Sequence, residues 1–213
     1  MATSSGKVTI RAESRDDVEV HSGGTSRRWP STHREVVDVS RSGPVELRCP
    51  EGTDVVAGTN SGTVRLRGSF GDVRVTSRSG GIHVDIVGSA DLRTRSGSVE
   101  VERCARLCRI TTTSGAVRIH HATEADVRGT SGTVEVHAAT SHVRTVSGTV
   151  HVLSGGDTAV ETVSGSITVA VGPGVRPHVV ASGRKRVTLE VPEGDDGEVV
   201  VRTISGAITV RSQ

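Results

Sequence analysis

The stretch Thr130–Val152 reads TSGTVEVHAATSHVRTVSGTVHV, and in it Ser-Gly returns after 16 residues with Val-x-Val beginning three places beyond each Ser. The same pair recurs at Ser42, Ser61, Ser79, Ser96, Ser114, Ser131, Ser147, Ser164, Ser182 and Ser205, in steps of 19, 18, 17, 18, 17, 16, 17, 18 and 23 residues. Three places on stand Val45, Val64, Ile82, Val99, Val117, Val134, Val150, Ile167 and Ile208; five places on stand Leu47, Leu66, Val84, Val101, Ile119, Val136, Val152, Val169 and Val210. The Ser182 row departs from this, with Val187 and Leu189 two positions late.

The columns before each serine repeat as well. Four places back are Ala57, Val75, Leu92, Ile110, Val127, Val143, Val160 and Val201, and two places back are mostly Thr or Ser. A spacing of two puts such residues on one face of a strand, and the Val, Thr and Ile content suits strands better than helices. Each repeat is therefore two short strands and two bends, with Gly at a bend that calls for positive φ or close backbone approach. Seventeen residues at about 3.3 Å each trace roughly 56 Å, the perimeter of a narrow coil. The expected fold is all-β: a right-handed parallel β-solenoid of about 17-residue two-strand coils, like residues stacking about 4.8 Å apart.

Composition agrees. The 213 residues include one Phe, one Trp, one Met and no Tyr, so Val, Ile, Leu, Ala and Thr must fill a thin interior. Outward columns alternate in charge: Arg74, Asp91, Arg109, Asp126 and His142 lie five before the serines, and Glu46, Arg65, His83, Glu100, Arg118, Glu135 and His151 lie four after. Exposed pairs of this kind contribute about 0.2 to 1 kcal/mol each, so they fix register more than they hold the fold.

A net charge of +2, from 26 Lys and Arg against 24 Asp and Glu, argues against a nucleic-acid partner. Three cysteines make no disulfide framework, and no stretch approaches a membrane segment or the h-region of a signal peptide. The expected location is the cytoplasm.

The ends break the register. Residues 1–40 read as an irregular N-terminal β cap with Trp29 as a lid, its runs KVTIRAESRDDVEV and REVVDV alternating on either side of a turn-rich link. Residues 41–213 read as the solenoid, with an extended coil at 173–204 in which PEGDDGE is a polar turn. The last rung, after Ser205, is expected to be shielded by longer strands or open to another molecule.

The recurrent SGxVxV and VxTxSG, the opening VTIRAESRDDVEV and the closing VTLEVPEGDDGEVVVRTISGAITV resemble a bacterial β-strand-repeat family that carries an adhesin label, a domain of unknown function common in actinobacteria. The resemblance implies a β-solenoid without known catalytic residues.

Candidate chemistry is sparse. His120 and His137 share an outward column on adjacent rungs with His121 at the bend, but a metal centre wants three or four ligands, and solvated rungs are the simpler account. Cys104 and Cys108 read as small core fillers, and the inward Thr and Ser columns as structural hydroxyls. No P-loop, GxSxG or HExxH sequence is present, so no catalytic, cofactor-binding or metal-ligating residue is assigned and no cofactor is expected. The function expected is a non-catalytic scaffold that binds a protein partner or self-associates through its solenoid ends. The alternative is a β-helix that binds or acts on carbohydrate.

Overall fold

The computed structural model describes residues 2–22, 25–30, 40–41 and 43–213. Their strands are β1 (Ala2–Ser5), β2 (Val8–Glu13), β3 (Asp17–Ser22), β4 (Thr25–Pro30), β5 (Ser40–Arg41), β6 (Val45–Pro50), β7 (Val55–Ser61) and β8 (Val64–Ser79). They continue as β9 (Ile82–Ser96), β10 (Val99–Ser114), β11 (Val117–Ser154), β12 (Thr158–Val171), β13 (His178–Ser182), β14 (Val187–Glu190), β15 (Glu198–Ser205) and β16 (Ile208–Ser212). The chain winds into a parallel β-solenoid of about nine turns with ~18-residue spacing. Among the described residues no helix is long and apolar enough to cross a membrane.

Register follows the columns of the sequence. Val64 pairs with Ile82, Ile82 with Val99 and Val99 with Val117; beyond β11, Val150 pairs with Ile167. Val117, Val134 and Val150, and the second column of Leu66, Val84, Val101, Ile119, Val136 and Val152, are all buried. Complete burial of a Val or Ile side chain stabilises by roughly 1.5 to 3 kcal/mol, so these seams are the main cohesive term.

The Ser-Gly corner has a physical reason for each residue. The hydroxyls of Ser79, Ser96, Ser114, Ser131 and Ser147 donate to the carbonyls of Asn60, Arg78, Arg95, Thr113 and Thr130, one rung earlier. Gly62, Gly80 and Gly97 donate their amides to the carbonyls of Ser79, Ser96 and Ser114. A Cβ on Gly132 would lie 2.1 Å from the carbonyl oxygen of Gly115, and Gly132 has a φ of 127°. Only glycine fits a corner so closely stacked.

Spatial order departs from chain order at both ends. β2 pairs with β6 on one side and β8 on the other, and β1 likewise lies between β5 and β7. Residues Ala2–Glu13, expected within an irregular cap, are thus a regular rung, and Ser5-Gly6 with Val8 and Ile10 obeys the repeat. The capping element is the antiparallel hairpin β3–β4, whose β3 lies along the outer edge of β6. Trp29 stands opposite Val18 in that hairpin, while its side chain and the run REVVDV at 34–39 lie outside the described residues.

At the other end, β15 lies between β12 and β13, and β16 between β12 and β14. The extended segment therefore contributes the outermost rung, and residues 198–212 slide in beneath it. Val187 and Leu189, late in sequence, pair with Ile208 and Val210 and so rejoin the two aliphatic columns.

Candidate functional site

A regular surface runs along the outward face that follows each Ser-Gly corner. Because the strand alternates, Val99 and Val101 point in while Glu100 and Glu102 point out, and stacking brings His83 and His120 from adjacent rungs against them. Oε2 of Glu100 is 2.9 Å from Nδ1 of His83, and its Oε1 is 3.5 Å from Nε2 of His120. Nε2 of His120 is also 3.8 Å from Oε1 of Glu102. The hydrogen bond from His83, and then the nearness of His120, hold the Glu100 carboxyl below the ordinary value of 4.5. Arg118 continues the ladder, its Nε 2.8 Å from Oε2 of Glu135, which lowers that carboxyl in turn.

His120, which shares its outward column with His137, lies against carboxylates. His120 joins Glu100 and Glu102 in a group whose ligand atoms lie within 4.8 Å of one another. His137 acts on Glu135, and His121 stands exposed at the bend opposite Arg103. The sequence held this signal, since Glu102 occupies the column of His120 one rung earlier. Glu100 is already engaged by His83, and the guanidinium of Arg118 follows it in the same column, so the arrangement reads as an ion-pair lattice.

Two other surfaces differ from the alternating pattern. Arg11 lies between Arg48 and Arg67, a like-charge stack relieved by Glu46, which is 3.4 Å from Arg11 and 3.7 Å from Arg48. Arg48 and Arg67 both stand six places after their serines, a column outside the two that alternate in charge, and the rung of β2 inserts a third arginine between them. Towards the other end, the column just before the serines turns apolar: Val146, Val163 and Ile204 are 49, 46 and 54% exposed on successive rungs. Arg144, Glu161 and Arg202 form the neighbouring ladder, and the two lines border a shallow depression.

Cys104 stacks on Val87 and Ala122, and Cys108 on Ala90 and Ala125, as expected of small core fillers. Both are buried free thiols; Cys108 is pushed well above the usual thiol range, first by its hydrogen bond with Cys104 and then by burial. The inward hydroxyls partly satisfy one another. Thr145 donates to Thr162 at 3.0 Å, and Thr158 to Ser154 at 2.6 Å.

Residues 1–211 match the family described as Toastrack DUF4097, a domain of unknown function. No curated protein and no solved structure matches the chain.

Proposed function

The chain belongs to the Toastrack DUF4097 family, and on that footing we propose that it is a non-catalytic interaction scaffold that binds a protein partner or self-associates through its ends. The observation that carries this reading is the register-locked charge lattice of His83, Glu100, His120, Arg118 and Glu135. Stacking fixes the spacing of these groups, so a partner with complementary charge meets a preordered face and loses little of its binding energy to reorganisation. The adhesin label carried by the sequence resemblance suits the same reading, as one use of such a face, and the place of work proposed for this chain is the cytoplasm.

The test is capture of a discrete protein from the native host by the wild-type chain, with Glu100→Lys combined with Glu135→Lys as control. Loss of that protein from the double variant, which still unfolds cooperatively though at a lower melting temperature, is the expected result. A glycan array and a reducing-sugar assay cover the alternative class. Selective glycan binding, or release of reducing ends, would replace the scaffold with a carbohydrate-directed β-helix.

A further inference from the structure

The outermost rung at one end is exposed along its whole edge. β13 pairs only with β15, and β14 only with β16, so the outer N–H and C=O groups of both strands have no partner among the described residues. On the same rung Val180, Val187 and Leu189 are 37, 38 and 49% exposed. An open edge with apolar side chains is a template for another strand. The opposite end lacks this edge along β6, where the β3–β4 hairpin lies across it.

Charge is divided between the two bends of this rung. The corner joining β13 to β14 carries Arg184, Lys185 and Arg186, all exposed and without an ion-pair partner among the described residues. The bend after β14 carries Glu190, Glu193, Asp195 and Asp196, of which Asp196 is engaged by Arg176 at 3.8 Å. A two-fold axis perpendicular to the solenoid axis can bring two such rungs together in two ways. If it runs along the strands, each basic corner meets the other basic corner. If it runs across them, β13 meets β13 and β14 meets β14 antiparallel, and each basic corner meets an acidic one.

We propose that two copies of this chain join through their β13–β14 rungs about the second of these axes, basic corner on acidic corner. This rests on the reading of the chain as an interaction scaffold and names its partner at this end as a second copy. The contact is isologous and closes on itself, so it gives a dimer and no filament.

The experiment is mass determination by sedimentation equilibrium over a range of concentration, with folding of each variant checked by circular dichroism. The wild type is expected at the mass of two chains, weakening as ionic strength rises, because salt screens the corner attraction. A basic-corner variant, Arg184→Glu with Lys185→Glu and Arg186→Glu, is expected as a monomer. So is an acidic-corner variant, Glu190→Lys with Glu193→Lys and Asp195→Lys. Mixed together, the two variants are expected to form a heterodimer, since each then offers what the other's corners lack. A wild type that is monomeric throughout, a dimer indifferent to salt, a filament, or folded variants that stay monomeric when mixed would each overturn the proposal. A monomeric wild type would leave the face lattice untouched, because that reading is tested at Glu100 and Glu135. Failed capture there would leave the dimer standing.

Discussion

A methyl group decides the corner at Gly132. Its Cβ would fall 2.1 Å from the Gly115 carbonyl oxygen at a φ of 127°, so Gly132→Ala is expected to destabilise by about 1 to 3 kcal/mol or more, read from chemical denaturation. Gly129 is the contrast: there the nearest atoms to an added Cβ are Thr145 Cγ2 at 3.5 Å and Thr112 Cγ2 at 3.7 Å. Gly129→Ala is expected to be neutral or to stabilise by up to about 1 kcal/mol, through the smaller entropy of the unfolded chain. The valine columns give a second pair. Val134→Asp places a charge in the aliphatic seam and is expected to abolish cooperative thermal unfolding, whereas Glu135→Ala, on the outward face, shifts the melting temperature little. Comparable small shifts for both would contradict the inward assignment of Val134.

For single elements, the outward lattice sets an acid response. Glu100 and Glu135 have folded-state carboxyls below the ordinary value, held there by His83 and by Arg118 respectively. Their contribution is complete above the unfolded carboxylate pKa near 4.5 and is lost as pH falls through the lower folded values. Glu100→Gln with Glu135→Gln is thus expected to lower the melting temperature at pH 7 and to approach the wild type progressively as the pH falls below the ordinary carboxylate value. Hydrogen exchange reads the interleaved end. β15 and β16 have neighbours on both sides while β13 and β14 have one, so the amides of Val199–Val201 are expected to exchange more slowly than those of His178–Ser182. This difference was not legible from the repeat. Periodicity assigns a residue to a column, since a spacing of two decides its face, but the order of rungs is decided by which edges pair. Val187 and Leu189 could be placed in their columns from sequence alone, and Ser5, Val8 and Ile10 carried the same signature. Nothing in their spacing says that the rung of Val8 lies between those of Val45 and Val64. The carboxylate neighbours of His120 escape the column reading for a related reason: its own column sets His120 beside His137, whereas Glu100 and Glu102 come from two columns of the neighbouring rung.

For the molecule as a whole, stability resides in nearest-neighbour contacts along one axis, so damage to one rung is felt most by the rungs beside it. The interleaving at residues 173–212 adds an exception, because removing residues 198–213 takes away the layer that supports β13 and β14 as well. During synthesis β13 and β14 leave the ribosome before β15 and β16 exist. If they stacked at once on β12 they would occupy the berth that the later strands must fill. On this order of strands β13 and β14 take their outer berth only once residues 198–212 have threaded in below them, so that synthesis of this stretch and locking of this end of the solenoid are tied together.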